Sequence, residues 1–336
     1  MKRLKDSSSP AAAIAGAFVS FASAALGSQR KSTADSALVQ ISIAGPKAST
    51  PVAPHLELKY SQVLNLKPLK FQRSLSGIAV GLSDRIYALA DGEVRIFEPD
   101  GTRIRSWKAP DRASCITIGR DERICIGVNS RVQFFDSSGN PKEGFDAGDS
   151  GRPAGITAIK ILSQEILVAD AAAKCIHRYD FAGKRLGEIG TQNKTRGFML
   201  PNRSLDIDVD AIGVIVATDT GRHRVTSWTL DGAPVGHFGK FGLMNAEDFV
   251  GCCNPVNIAC SPDGRLITAE KVVARVKVYD AAGKLLALIG PEHFDPKCIH
   301  LHLAVDSKKR ILVADPVRLE IKIFSANAEP GGREKV

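Results

Sequence analysis

The adjacent cysteines Cys252 and Cys253 are the residues whose type and spacing most directly suggest chemistry. Neighbouring Cα atoms lie about 3.8 Å apart across a trans peptide, below the roughly 4.4 Å minimum that is usual for a disulfide. A bond between the two thiols would therefore be strained and relatively easy to reduce. The open alternatives are this vicinal disulfide, a bond from one of the two to another cysteine such as Cys298, thiolates that bind a metal or do redox work, and two inert thiols.

A second candidate site contains Cys298, His300 and His302, which are spaced two residues apart. In a strand, residues at this spacing point to one side, and nitrogen and sulfur ligands of borderline softness suit zinc or copper. Together with His293 these residues predict a divalent-metal site, and the cofactor is otherwise unknown. The alternative is structural, because His302 occupies a first-strand position of a repeat, where polar side chains would line a channel and be bridged by water.

Three acids, Asp206, Asp208 and Asp210, resemble the start of a calcium-binding loop. The glycine expected at position six is missing, and the glutamate expected at position twelve is Ala217. The segment is therefore interpreted as a strand whose Asp206 and Asp208 face a central channel and attract a cation. No nucleophile elbow, phosphate-binding glycine loop or C-x-x-C motif occurs in the chain, so no catalytic residue is predicted.

These candidates belong to a unit that occurs six times. Each unit has an apolar run, a polar turn, a second apolar run, and an alternating third run, and most continue through a glycine turn into a fourth run. The units begin at residues 77, 115, 156, 205, 256 and 301. Their second runs end at Asp91, Asn129, Asp170, Asp219, Glu270 and Asp315. Four strands per unit at this spacing predict an all-β fold, a six-bladed β-propeller of four-stranded blades.

The two ends of the chain complete this ring. The sixth unit stops after its third run, because the following residues are polar and include Pro330, Gly331 and Gly332. The strand-like segment 56–71 precedes the first unit and is predicted to form the outermost strand of blade six. The propeller is therefore placed at 56–326, followed by a polar C-terminal tail at 327–336.

The repeats resemble the NHL repeat. The resemblance rests on the Asp-Thr-Gly-Arg-His-Arg-Val sequence from Asp219 to Val225, and on related versions at 129–132 and 275–280. It covers about 76–326, and blades three to six match best. The Cys-Cys-Asn-Pro loop at 252–255 is similar to that of exported bacterial NHL-type propellers. The resemblance implies a six-bladed propeller with a partner-binding face, without implying one activity.

One face of such a propeller carries the long and varied loops. Antiparallel strands alternate in direction, so the loops between strands two and three share a face with the loops that lead from strand four into the next blade. We call this the long-loop face and the opposite one the short-turn face. Binding residues concentrate on variable loops of a rigid scaffold, and the predicted ligand-binding residues are Arg222, His223, Cys252, Cys253, Asn254, Glu270 and Lys271. The acids and the amide that end the second runs have a structural alternative, in which they bond backbone N–H groups of the following loop.

The N-terminus has the pattern of an export signal. Basic residues at the start are followed by an alanine-rich run from Ala11 to Leu26, with an Ala-Ser-Ala cleavage pattern at 22–24. We expect a cleaved signal at 1–24, a flexible tether at 25–55, and a periplasmic or extracellular protein; a retained membrane anchor is the alternative. Export implies an oxidising compartment, in which any of the seven cysteines could form disulfide bonds. Those inside apolar runs are nevertheless interpreted as small buried hydrophobes.

Composition narrows the function. The chain has 45 basic and 36 acidic residues, a net charge of +9, but only 6% aromatic residues and no long basic run, which disfavours a nucleic-acid partner. We expect a non-catalytic exported scaffold that binds a protein, peptide or glycan through the long-loop face. The alternative is a metal- or thiol-dependent enzyme, such as a lyase, a lactonase-like hydrolase or an oxidoreductase, with its site at the channel mouth. The sequence does not fix an oligomeric state.

Overall fold

The computed structural model describes residues 56–66, 70–149, 151–191 and 197–327. The predicted export signal at 1–24, the tether at 25–55 and the tail beyond residue 327 lie outside the described residues. Within the described ranges the regular elements are 24 strands and three single-turn 3₁₀ helices. None of the described helices is long and apolar enough to cross a membrane.

The strands form six antiparallel sheets of four strands each, which confirms the predicted six-bladed β-propeller. Blade one contains β2 (Leu75–Val80), β3 (Ile86–Ala90), β4 (Glu93–Phe97) and β5 (Arg103–Lys108). Blade two contains β6 (Ala113–Ile118), β7 (Ile124–Val128), β8 (Arg131–Phe135) and β9 (Phe145–Asp146). Blade three contains β10 (Ile156–Ile161), β11 (Ile166–Asp170), β12 (Cys175–Tyr179) and β13 (Arg185–Ile189). Blade four contains β14 (Ile207–Val209), β15 (Ile215–Asp219), β16 (Arg224–Trp228) and β17 (Pro234–Phe238). Blade five contains β18 (Asn257–Cys260), β19 (Leu266–Glu270), β20 (Arg275–Tyr279) and β21 (Leu285–Ile289). Blade six contains β22 (His302–Val305), β23 (Ile311–Asp315), β24 (Glu320–Ala326) and β1 (Tyr60–Asn65).

Blade six is completed by the N-terminal strand, as the sequence predicts. β1 pairs antiparallel with β24, from Tyr60 opposite Ala326 to Asn65 opposite Lys322. Leu66, directly after β1, is only 3% exposed and packs in the core between blades six and one. The first and last described segments of the propeller therefore share one sheet, and this pairing closes the ring.

The core is divided into six clusters, one between each pair of neighbouring blades. A central strand such as β11 or β19 is buried along its whole length, because neighbouring blades cover both faces of each sheet. Full burial explains why the second runs of the repeat read as continuous apolar stretches rather than as alternating ones. The first strands of neighbouring blades contact each other around the axis and line a central channel.

The turns of the short-turn face are short and self-contained. In blade five, Oδ1 of Asp280 accepts hydrogen bonds from the backbone N–H groups of Ala282 and Lys284 at 2.9 and 2.8 Å. Gly283 supplies the positive φ of 86° that this turn needs. Asp180 in blade three makes the same pair of bonds, to Ala182 and Lys184. These turns connect neighbouring strands of a blade with a repeated hydrogen-bond pattern. Variation in loop length and sequence is therefore concentrated on the long-loop face.

Candidate functional site

The acids that end the second strands anchor the loops of the long-loop face. Oδ1 of Asp170 accepts hydrogen bonds from the N–H groups of Ala172 and Ala173 at 2.9 and 3.0 Å, and Asp315 does the same for its following loop. This confirms the predicted Asx-type role at these two positions. Asp170 also accepts from the N–H of Gly155 at 2.9 Å, in the loop that leads into the same blade. One carboxylate thus holds two loops of the face together.

Glu270 is held in a buried charge cluster in blade five, although it was predicted to be a ligand-binding residue. Its side chain is 0% exposed and lies 2.9 Å from Nε of Arg275 and 2.8 Å from Nζ of Lys277. Its Oε2 also accepts a hydrogen bond from the N–H of Val250. Burial lowers the pKa of Lys277 to about 8, while the neighbouring carboxylate of Glu270 acts in the opposite direction. The structure therefore gives Glu270 a role in fixing the loop before β18.

Asn254 connects that loop to the turn after β19. The side chain is fully buried, its Nδ2 donates to the carbonyl oxygens of Val250 and Lys271, and its Oδ1 accepts from the N–H of Lys271 at 2.9 Å. These three hydrogen bonds of the side chain are all to backbone atoms. Asn254 contacts only the backbone of Lys271, whose side chain is partly buried.

The cysteine pair lies beside Asn254 on the same loop. Cys252 is exposed and Cys253 is buried, and both are free thiols whose Sγ atoms lie 2.9 Å apart. Burial and the neighbouring thiol raise the pKa of Cys253. Cys298 is elsewhere, with its Sγ directed at the carbonyl oxygen of His300 at 3.2 Å. The arrangement places one accessible thiol, Cys252, on the long-loop face.

Arg222 and His223 occupy the turn after β15. NH1 of Arg222 donates to Oδ2 of Asp219 at 2.7 Å, so this guanidinium also supports a strand-ending acid. The His223 ring packs edge-on against Phe241, with centroids 5.1 Å apart. Its Nδ1 is buried and has no hydrogen-bond partner among the described residues, and burial lowers its pKa. His223 thus joins the turn of blade four to the loop that enters blade five.

The predicted metal residues do not converge. His302 begins β22, whereas Cys298 and His300 precede the strand, so the three residues do not share the strand face that their spacing predicted. The His293 ring packs against Phe324 at 5.1 Å. Within the described ranges, three metal-type ligand atoms lie within 4.8 Å of one another only at Cys175, His177 and Glu188. Cys175 is one of the cysteines inside apolar runs that were interpreted as buried hydrophobes, and the missed signal was its spacing of two residues from His177.

The central channel is polar at mid-depth and has a cavity at each end, of about 240 Å³ towards the long-loop face and about 690 Å³ towards the short-turn face. Lys160 lines both cavities, and its Nζ lies 3.0 Å from Oδ1 of Asp208. Oδ2 of Asp206 accepts from the N–H of Ile258, and Oδ2 of Asp208 accepts from the N–H of Cys260, both on the inner edge of β18. Burial raises the pKa of Asp206 to about 6. The two acids face the channel as predicted, but their positive counter-charge is the ammonium group of Lys160.

Exposed apolar side chains mark the long-loop face. Of the 14 large apolar side chains exposed in the described ranges, seven lie there, three lie on short turns and four lie on strands. We call the seven the exposed apolar set: Met199, Phe241, Leu243, Met244, Val272, Ile299 and Val317. All of them belong to loops that enter blades four to six or to turns within blades five and six. Leu243 and Met244 also line a depression of about 830 Å³ beside blade five.

Comparisons with known proteins establish the fold alone. No protein-family model and no curated protein sequence matches the chain. The WD40 β-propeller domain of Doa1 superposes with a TM-score of 0.55 at 14% identity, over 79% of this chain and 97% of that chain. A chain of the mitotic checkpoint complex gives 0.53 at 12% identity, over 86% and 98%. Virginiamycin B lyase from Staphylococcus aureus gives 0.52 at 14% identity, over 80% and 99%. The chain is thus similar in fold to propellers with different functions.

Proposed function

We propose that this protein is an NHL-type binding scaffold whose long-loop face binds a protein partner. The proposal rests on the exposed apolar set. Seven large apolar side chains on one half of one face are unfavourably exposed to water, and a bound partner would remove this exposure. Phe241, Leu243 and Met244 lie within four residues and are 54%, 68% and 73% exposed. Aromatic residues and methionine are enriched in protein interfaces.

The charge of the same loops indicates what the partner presents. The long-loop face carries basic side chains that are not buried, at Lys174, Arg203, Arg222, Lys240, Lys271, Lys297 and Arg318. Besides Asp206, which lines the channel, the described acids that are not buried in the loops entering blades four to six are Glu247, Glu292 and Asp295. A partner segment with apolar and acidic side chains would complement this surface. Such a segment is favoured over a glycan, because most members of the set are aliphatic or methionine rather than flat aromatic rings.

The fold comparisons agree with this proposal at a coarse level. A propeller of the same fold is a chain of the mitotic checkpoint complex, so the architecture serves in a protein assembly. The neighbouring lyase shows that the same fold also carries catalysis. For this chain the channel acids are already bonded to Lys160 and to backbone N–H groups, which favours the loop face over the channel as the binding surface.

Selection from a random peptide library on the immobilised full chain tests the proposal. We expect enriched peptides to carry apolar and acidic residues, and to bind the Phe241→Ser/Leu243→Ser/Met244→Ser variant at least about tenfold more weakly, since apolar anchors dominate interface energy. The matched control is Leu82→Ser/Ile212→Ser/Leu230→Ser, which removes the three exposed apolar side chains of the short turns. Equal loss in both variants, unchanged binding in the first, or no enriched sequence would refute the proposal.

A further inference from the structure

Blade three brings three metal-type ligands together close to the long-loop face. Cys175 and His177 lie two residues apart on β12, so their side chains share one face of the sheet. Glu188 lies directly opposite His177 on β13. One ligand atom from each of the three lies within 4.8 Å of the other two. The first two side chains are buried and Glu188 is exposed, so the cluster opens to solvent on one side.

Neighbouring groups orient these ligands. Oδ1 of Asp170 is occupied by three backbone N–H groups, whereas its Oδ2 lies 3.4 Å from Nε2 of His177. Sγ of Cys175 lies 3.6 Å from Nδ1 and 3.5 Å from Nε2 of His177. With Nε2 donating to Asp170, Nδ1 is the nitrogen that offers its lone pair to a metal. A carboxylate behind a histidine is the usual support of a metal-binding imidazole. Thr191 in turn donates to Oε1 of Glu188 at 2.8 Å.

The spacing fits a tetrahedral zinc ion. Zinc binds thiolate at about 2.3 Å and imidazole nitrogen at about 2.0–2.1 Å, which puts sulfur and nitrogen about 3.6 Å apart across a tetrahedral angle. The distance between Sγ of Cys175 and Nδ1 of His177 is 3.6 Å. Sulfur, nitrogen and one carboxylate oxygen form a ligand set that zinc accepts. The pair therefore needs little movement to bind.

A nucleophilic role for the same residues is disfavoured. Cys175, His177 and Asp170 are ordered like a nucleophile, a base and an orienting acid, but Cys175 is 1% exposed and His177 is 2% exposed. A substrate cannot reach such a sulfur without rearrangement of the blade, whereas a small ion can enter beside Glu188.

The arrangement is specific to blade three. The position of His177 in its strand is occupied in the other blades by Arg95, Gln133, Thr226, Lys277 and Lys322. The position of Cys175 is occupied there by Glu93, Arg131, Arg224, Arg275 and Glu320. Four of these ten side chains, at Arg95, Arg224, Arg275 and Lys277, pair with the strand-ending acid of their own blade. Blade three has metal-type ligands at these two positions instead.

We propose that Cys175, His177 and Glu188 bind one Zn²⁺ ion, with Asp170 positioning His177. On binding, the S–H bond of Cys175 breaks, its proton passes to solvent and the thiolate sulfur bonds the metal. Nδ1 of His177 and a carboxylate oxygen of Glu188 complete the protein ligands, and water fills the fourth position on the exposed side. The site would fasten β12 to β13 at the rim of the long-loop face.

Titration of the reduced full chain with Co²⁺ tests this site, because a cobalt–thiolate bond gives a near-ultraviolet absorption band that unliganded cobalt lacks. We expect one Co²⁺ per chain with this band, displaced by one equivalent of Zn²⁺. Cys175→Ser should lose the band. Glu188→Gln, a change at an exposed side chain that leaves the core intact, should keep the band and weaken binding at least about tenfold.

Two control variants separate this site from the other thiols. The band should survive in Cys252→Ser/Cys253→Ser and in Cys298→Ser. The proposal is overturned if reduced wild type gives no band, if the band persists in Cys175→Ser, if Glu188→Gln binds as tightly as wild type, or if either control variant abolishes the band.

Discussion

The role of Asn254 could not be predicted from its residue type and its neighbours in sequence. Its place beside the cysteine pair suggested a ligand contact, but its side chain is fully buried and bonded to the backbone on both sides of the loop. Glu270 and Arg222 likewise face partners from strands or turns of the same blade. Those partners are several residues away in sequence, so only the blade geometry shows that the groups are already engaged.

His302 makes a prediction about acid stability. Burial, with a smaller effect of His300, lowers its pKa to about 4, whereas an unfolded histidine titrates near pH 6.5. Between these values the unfolded chain binds the proton and the folded chain does not, so stability falls as the pH is lowered from about 6.5 to 4.

We expect His302→Asn to reduce this loss by about 2 kcal/mol, a value discounted for the partial exposure of the ring. Urea unfolding of both proteins across this pH range measures the difference. Asp206, whose raised pKa of about 6 acts in the opposite direction, is present in both proteins. Parallel pH dependences of the two proteins would contradict the assignment.

At the scale of elements, the blades are held at the long-loop face by buried charges. In blade five, Glu270 from β19 meets Arg275 and Lys277 from β20, and Lys277 also donates to the carbonyl oxygen of Asp248 at 2.6 Å. The Lys277 ammonium lies 4.7 Å from the centroid of the Phe249 ring. The cluster thus connects two strands to the loop that carries the exposed residues Phe241, Leu243 and Met244.

Removing the acid of this cluster should be costly. Glu270→Gln leaves two buried cations without their counter-charge, and we expect it to lower the free energy of unfolding by about 3 kcal/mol. Glu292→Gln, at a side chain that is 69% exposed, is the control and should change stability by less than about 0.5 kcal/mol. Chemical denaturation measures both, and a similar small effect of the two substitutions would show that the cluster is not structural.

The strands themselves were predictable because each repeat carries the same apolar and polar pattern. The start of β22 was not, since Cys298 and His300 read as strand residues but belong to the loop before His302. That loop packs through Phe294 and Cys298, both about 1% exposed, so its apolar residues mimic a strand pattern. The cluster of Cys175, His177 and Glu188 was also not predicted from the sequence, because Glu188 lies on a different strand from the other two.

At the scale of the whole molecule, the ring depends on one strand from the far end of the chain. β1 covers the outer edge of β24, and Leu66 fills the core between blades six and one. An open ring would expose that core and the hydrogen-bonding edge of β24. The closure was predictable because the sixth unit lacks a fourth run and segment 56–71 offers one.

Deletion of residues 1–66 should therefore destabilise the propeller severely. We expect loss of a single cooperative transition, or a decrease in melting temperature of at least about 10 °C, because a blade edge and part of one core are removed. Deletion of residues 1–50 keeps β1 and is the matched control. Calorimetry compares the two truncated proteins, and equal melting temperatures would show that β1 does not close the ring.

The proposed binding face could be predicted only in part. Strand direction fixed which loops share a face, but the exposed apolar set follows no repeat, and its exposure depends on how each loop folds. The repeat therefore predicts the scaffold, while the residues that make one propeller different from another are those outside it.

Hydrogen–deuterium exchange with and without a selected peptide is the most direct test of whether the long-loop face binds a partner. We expect protection in the loop 239–255, in the turn 271–274 and in the described part of the loop before blade four, with no change in the turns 210–213 and 229–232. Protection confined to the short turns or to the channel strands would contradict binding at the long-loop face.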